Sequence, residues 1–183
     1  MRKIVAGLFI SLDGVYEAPG EWHFPYFDDD MGAAVDAQMK AADTMLLGRV
    51  TYEEFAGFSP NADPAEIDIA DYMNGTPKLV VSNSLETLEW QNSTLVTGDI
   101  AGQLTALKAQ PGKNISITGS GTLVRTLLRD GVLDELHLLI HPIALGNGKR
   151  LFDGLETPAP LELVSSTTFG SGVMYVIYRP AKG

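Results

Sequence analysis

Residues 114–130 read NISITGSGTLVRTLLRD, a strand, a turn and a helix in succession. Asn114 to Thr118 is a short strand. From about Gly121 to Asp130 the apolar residues Leu123, Val124, Leu127 and Leu128 recur at helical spacing, and Gly131 supplies the stop. The junction between them is Thr118-Gly119-Ser120-Gly121-Thr122-Leu123. Glycines there let the backbone approach a ligand closely. The first helical turn offers unpaired N–H groups at the positive end of its dipole, a setting for a phosphate. A turn that serves packing alone would use the same residues.

Two similar junctions lie upstream. Thr44-Met45-Leu46-Leu47-Gly48 reads as a short buried strand. It runs into Gly48-Arg49-Val50-Thr51-Tyr52 and a helix beginning over Thr51 to Phe55. Arg49 can fork onto a phosphate and Thr51 can donate a hydroxyl. A surface arginine beside a capping threonine is the plainer alternative. Lys78 to Ser82 is another strand, ending in the small polar groups Val81-Ser82-Asn83-Ser84, which also suit a simple polar turn. Ligands of open α/β sheets bind beyond the carboxyl ends of the strands. All three motifs fall there and can converge on one extended anionic ligand.

The remaining elements complete a fold class. Residues 3–10 form a continuous apolar run that suits a central strand covered on both faces. A helix follows Asp28 to Asp30, with Met31, Ala34, Val35, Gln38/Met39 and Ala42 at helical spacing. Residues 57–76 are rich in Pro, Asp, Asn and Gly and give no clear pattern. Thr94 to Thr97 is a strand, and Asp99 caps a helix that ends at Pro111-Gly112. Leu133 to His141 is a strand, and residues 161–168 and 172–179 form a hairpin through Gly170-Ser171-Gly172. Strand–helix alternation followed by strands alone predicts an α/β three-layer sandwich. Its central sheet is mostly parallel with an antiparallel C-terminal edge.

Composition narrows the function. At 183 residues, 45% hydrophobic and 20% charged, the chain suits one globular domain over 1–183. There is no cysteine, which excludes disulfides, thiolate metal sites and cysteine nucleophiles. The net charge is −10 and the thirteen basic residues form no stripe, so nucleic acid is not an expected partner. No stretch is long and apolar enough to span a bilayer. The opening MRKIVAGLFISLDG reads as a buried strand rather than a signal peptide, which predicts a cytoplasmic protein with no membrane partner.

The loop over residues 11–27 carries five aromatics within a Gly- and Pro-containing run, and long ordered loops are often functional. At its end stand His23 and the aspartates Asp28, Asp29 and Asp30. A carboxylate beside an aromatic pocket can relay a proton; the same aspartates can simply cap the helix. His137 and His141 share one face of a strand. Structural hydrogen bonds account for such a pair, since no third metal ligand stands out.

The ordered set SLDG (11–14), LLGRVTYEEF (46–55), VVSNSL (80–85), TGSGTLVRTLL (118–128) and DELHLLIHPIALGNGKRLF (134–152) resembles the dihydrofolate-reductase superfamily. More specifically it is similar to the reductase domain of the bifunctional riboflavin-biosynthesis deaminase-reductase. The resemblance implies NADPH as cofactor and a small pyrimidine- or pteridine-like substrate. It implies that Arg49 and Ser82-Asn83 hold the adenosine 2′-phosphate. Gly48, Thr51 and the turn Gly119, Ser120, Gly121, Thr122 and Leu123 would hold the pyrophosphate. Ala6, Gly7, Asp13 and Gly14 would flank the nicotinamide and its ribose. Trp22-His23-Phe24-Pro25 matches the Trp-x-x-Pro loop of folate enzymes, so Trp22 is expected to wall the acceptor pocket. The family's acidic position falls on Phe27, and Asp28 is the nearest carboxylate. Folate reductases carry a cis peptide at the matching glycine turn, which predicts a strained, cis Gly119–Ser120 bond. The deaminase half is missing, so the activity expected is monofunctional. The strands at Leu136 to Ile140 and Val173 to Ile177 are apolar on both faces and predict a homodimer.

Overall fold

A computed structural model describes residues 1–62 and 69–181. The elements are β1 (Ile4–Ser11), α1 (Asp29–Lys40), β2 (Ala42–Gly48), α2 (Arg49–Phe58), α3 (Ala70–Gly75), β3 (Lys78–Val81) and β4 (Ser93–Val96). They continue as α4 (Ile100–Lys108), β5 (Asn114–Thr118), α5 (Gly121–Arg129), β6 (Glu135–His141), β7 (Leu161–Thr168) and β8 (Met174–Pro180). One sheet contains all eight strands in the order β4-β3-β2-β5-β1-β6-β8-β7. Strands β1 to β6 are parallel, and β8 is antiparallel to both β6 and β7. The predicted three-layer sandwich with an antiparallel C-terminal edge is the observed architecture.

Crossover handedness explains the layers. The connections β1–β2 and β2–β3 step one way along the sheet, and β4–β5 and β5–β6 step the other way. Right-handed crossovers then place α1 and α2 on one face and α4 and α5 on the opposite face. Packing agrees. Ile4, Ala6, Leu8, Leu46 and Ile117 pack with Leu104, Val124 and Leu127 of α4 and α5. Met45, Leu47 and Val80 pack with Tyr52, Met73 and Trp90 on the other side. Met31 of α1 packs with Leu139 and Val173 beside Phe9 and Tyr175.

Boundaries shift for local reasons. β6 begins at Glu135 rather than Leu133, because the Val132 and Leu133 amides still donate to the Leu127 carbonyl that ends α5, at 2.9 and 3.1 Å. α2 begins at Arg49, with Gly48 as its N-cap. Part of the patternless segment 57–76 is helical as α3; residues 63–68 lie outside the described residues. The apolar character of β6 is satisfied within the chain on both faces. By contrast Leu163 and Val164 of the edge strand β7 and Met174 of β8 are exposed.

Lys78 is the largest side chain in the fully buried set, which no sequence pattern marked. Its Nζ donates to the carbonyls of Met73 at 2.7 Å, Thr76 at 2.8 Å and Asn74 at 3.4 Å, and lies 4.3 Å from the Trp90 ring centroid. The ammonium thus satisfies the carbonyls at the end of α3 and ties that helix to β3. Burial pushes its pKa down to about 8. Lys78→Met leaves those carbonyls without their donor. Its urea unfolding midpoint is expected to report a loss of about 2–4 kcal/mol; an unchanged midpoint would show that the tether is dispensable.

Candidate functional site

β2 and β5 are neighbours whose chains leave in opposite directions, β2 toward β3 and β5 toward β6. This is the topological switch point, where a crevice opens beyond the strand ends. The two strand-to-helix turns at that point touch. A Cβ placed on Gly48 would run into Oγ of Ser120 and lie 2.8 Å from its Cβ. A Cβ on Gly119 would come within 3.2 Å of Oγ1 and Cγ2 of Thr51. Both positions therefore require glycine for close approach. Gly119 and Ser120 lie at φ 89° and 62°, and Ser120 Oγ accepts the Leu123 N–H at 3.3 Å as the N-cap of α5. The described residues contain no cis peptide, so the predicted cis Gly119–Ser120 bond is not present. The left-handed conformation of Ser120, uncommon for a residue with a Cβ, makes the turn instead.

The β3 end stands alongside. Gly48 pairs with Val81, so Arg49 is level with Ser82. Arg49 is exposed and bonded to Glu53 at 2.8 Å. Ser82 Oγ accepts the N–H groups of Ser84 and Leu85, both at 3.1 Å, and so shapes its turn, while Asn83 is exposed. Gly48, Arg49, Thr51, Ser82, Asn83 and residues 119–123 thus share one edge of the sheet. The Tyr16 ring covers Gly121 there.

Other expected residues lie elsewhere. Ala6 is buried in the core on the α4–α5 side, whereas Gly7 faces α1 and meets Oε1 of Gln38. Asp13 accepts from Ser11 Oγ at 2.6 Å and from the Leu145 and Gly146 amides at 3.0 and 2.8 Å. These bonds, led by Ser11, hold its carboxyl well below the usual range. Asp13 therefore pins the loop after β6 to the end of β1, and Gly14, at φ 88°, turns the chain beside it. Asp28 caps α1 by accepting the Met31 N–H at 2.9 Å, and its second oxygen accepts the Ser171 N–H at 2.9 Å in the β7–β8 turn. The Met31 and then the Ser171 bonds lower its pKa, so it stays ionised at neutral pH.

The α1 face of the sheet carries an aromatic cluster. His23 stacks on Phe9 with centroids 4.6 Å apart and lies 4.2 Å from Phe24. His141 meets the edges or faces of Trp22 at 5.1 Å and Tyr26 at 5.8 Å. Trp22 is buried, with Nε1 donating to the Glu17 carbonyl at 3.0 Å. His137, although on the same strand face, belongs to a different network: Nδ1 lies 2.7 Å from the Tyr175 hydroxyl and Nε2 3.2 Å from Glu135. No group able to hold a metal ion occurs among the described residues. The joining of His23 to His141 went unread in the sequence, because it depends on how loop 12–28 folds over β1 and β6.

The RibD C-terminal domain model matches residues 2–175. The chain belongs to the RibD C-terminal domain family. A relative in this family, YyaP of Bacillus subtilis (strain 168), is 32% identical over 181 residues, covering 97% of this chain and 95% of YyaP. A protein from Shewanella sp. PV-4 assigned to riboflavin biosynthesis superposes with TM-score 0.79 at 21% identity, covering both chains fully. The Thermotoga maritima diaminohydroxyphosphoribosylaminopyrimidine deaminase/5-amino-6-(5-phosphoribosylamino)uracil reductase gives 0.67 at 13%, over 98% of this chain and 57% of that one. Enterococcus faecalis dihydrofolate reductase, complexed with NADP(H), gives 0.65 at 15%, over 98% and 97%. This RibD C-terminal domain chain therefore has the dihydrofolate-reductase-like fold of the riboflavin-pathway reductases. No helix of its described residues is long and apolar enough to cross a membrane.

The histidines give this site a pH signature. Burial lowers the pKa of His23, His137 and His141 below 6.5. The unfolded chain then binds more protons than the folded one as pH falls through 6.5. Stability from these groups is full above 6.5 and declines as pH drops toward the folded values. Unfolding free energy measured from pH 7 to about 5 is expected to fall, with His141→Gln flattening the slope. A profile flat across that window would contradict neutral, buried imidazoles.

Proposed function

We propose that this chain is a single-domain, cytoplasmic NADPH-dependent reductase of a small flat heterocycle, of the 5-amino-6-(5-phosphoribosylamino)uracil reductase type. The observation that carries this reading is the contact of the Gly48 and Ser120 turns at the switch point, where the Ser120 side chain fills the space a Cβ on Gly48 would need and brings the start of α5 against the end of β2. The residues fit the cofactor. The α5 N-terminus, through the amides of Gly121 and Thr122, would hold the pyrophosphate together with Thr51. Arg49, Ser82 and Asn83 would take the 2′-phosphate, Arg49 by exchanging its Glu53 partner for the more highly charged group. Tyr16 would give way or stack where it covers Gly121. Gly7, Asp13 and Gly14 would border the nicotinamide end. When bound, NADPH supplies hydride to a polarised carbon of the acceptor. Trp22, Phe24, Tyr26 and Phe27 would exclude water from the acceptor. Asp28 would act by fixing the start of α1 against the β7–β8 turn, so its part in turnover would be positioning.

A pteridine reductase is the second reading, favoured by the aromatic wall and the Trp22–Pro25 loop. The chain is further proposed to be a homodimer, which the exposed Leu163, Val164 and Met174 support; light scattering at micromolar concentration should give twice the 19.7 kDa chain mass.

The cofactor reading is tested by Arg49→Ala. NADPH affinity is expected to fall by about 1–3 kcal/mol, with NADH affinity little changed. Equal loss for both cofactors, or none for NADPH, would remove Arg49 from the 2′-phosphate.

A further inference from the structure

The middle of the sheet is uncovered on one face. β5 lies between β1 and β2, and on the α4–α5 side its Ile115 and Ile117 are fully buried. The alternate residues point the other way, and there Thr118 is exposed and Ser116 only half-buried. Met31 of α1 packs over β6 and β8, and Tyr52 of α2 packs over β2 and β3, which leaves Thr118 uncovered between the two helices. Gly7, half-buried and without a side chain, pairs with Thr118 and widens the gap. Ser116, Thr118 and Gly7 are thus the floor of a groove open to solvent, and the chain runs from Thr118 directly into the Gly119–Ser120 turn of the candidate cofactor edge. Phe9, two residues beyond Gly7 on the same face, stacks on His23, so the aromatic loop bounds the groove at that end.

Gln38 reaches into this groove from α1, where a Cβ on Gly7 would run into its Oε1. A chain of hydrogen bonds that starts at the surface fixes how the carboxamide is turned. Lys3 Nζ lies 2.6 Å from Glu135 and holds it as a carboxylate, which can only accept. The neutral His137 ring therefore carries its proton on Nε2, 3.2 Å from that carboxylate. Nδ1 is left as an acceptor and takes the Tyr175 O–H at 2.7 Å. With its proton committed, the Tyr175 oxygen accepts from Nε2 of Gln38 at 3.4 Å. Oε1 is thereby turned toward Gly7, and no donor among the described residues bonds to it. The network ends in an unbonded acceptor on a half-buried side chain, aimed into the groove. Such an acceptor suits a ligand that donates.

We propose that Gln38 recognises the edge of the acceptor heterocycle, its Oε1 accepting a ring N–H or amino group, and that Glu135, His137 and Tyr175 are positioning residues that keep this oxygen facing the groove. The proposal rests on the reductase reading above and adds the residue that selects the acceptor, a flat ring whose edge donates hydrogen bonds, as aminouracils and pterins do. The ring would lie over Thr118 and Gly7, beside the nicotinamide end of the cofactor. A ring that turned only carbonyl oxygens toward Oε1 would leave two acceptors facing each other, and is disfavoured for that reason.

Calorimetric titration of the protein, with and without NADP⁺, tests this with 5-amino-6-(5-phosphoribosylamino)uracil and 7,8-dihydropterin as probes. Gln38→Met keeps the length and helix propensity of the side chain and removes the acceptor. It should bind the responding probe about tenfold more weakly while NADPH affinity is retained. Tyr175→Phe frees the carboxamide to turn over and should weaken the same probe about threefold. Because Tyr175 acts through Gln38, adding Tyr175→Phe to Gln38→Met should cause no further loss. A Tyr175 that only supports the fold would give losses that multiply, and that result overturns the proposal. Unchanged probe affinity in Gln38→Met, a loss of NADPH affinity in place of probe affinity, or no binding of either probe at millimolar concentration overturns it as well. NADPH affinity of the unaltered protein, measured separately, tells the two readings apart. Probe binding that depends on Gln38 without NADPH binding would remove the cofactor reading and leave the recognition residue standing.

Discussion

The absence of a side chain at Gly48 lets two strand-to-helix turns close on each other at the centre of the sheet. Ser120 occupies the space a Cβ would take, and its own left-handed backbone aims the start of α5 at the same crevice. Parallel pairing of β2 with β5 brings the turns together, and opposite crossover directions keep helices from covering them. The outcome is a junction with free helical N–H groups, an exposed Arg49 and a polar β3 end along one line. The candidate cofactor edge depends on that closure.

The opposite flank is organised by carboxylates that do structural work. Asp13 holds the loop after β6 onto β1, and Asp28 holds the β7–β8 turn onto α1. Both gather main-chain N–H donors, which lowers their pKa and keeps them ionised. Between these two clamps the aromatic loop folds down over β1 and β6 and buries His23 and His141. The side of the sheet that offers helix amides and Arg49 is therefore suited to an anion, whereas the side with Trp22 is acidic at its rim and apolar within.

Much of the fold was legible in the sequence because its signals are local. Glycine-rich turns flanked by apolar runs mark β2, β5, α2 and α5, and the switch from strand–helix alternation to strands alone marks the antiparallel edge. What could not be read depends on distant partners. Nothing around Lys78 announces that Met73, Asn74 and Thr76 would surround its ammonium, since a lysine in a strand is ordinarily solvated. Asp28 stands where a proton relay was expected, yet Ser171, 143 residues away, supplies the contact that makes it a clamp. His137 and His141 looked like one pair on one strand face; Tyr175 and Glu135 take the first, and loop residues surround the second. The edge of the sheet where the two glycine turns, Arg49 and the β3 end come together was legible in advance. The burial of His23 against His141 required the path of loop 12–28.

The proposed nucleotide site is decided by where the phosphates of NADPH would sit. A crystal structure of the protein soaked with NADPH measures this most directly. The pyrophosphate is expected against the first turn of α5, between Gly48 and Ser120, with the 2′-phosphate beside Arg49 and Asn83 and the nicotinamide pointing toward Gly7. Cofactor density at any other part of the sheet, or none at this edge with millimolar NADPH in the crystal, would contradict the assignment of the switch point as a nucleotide site.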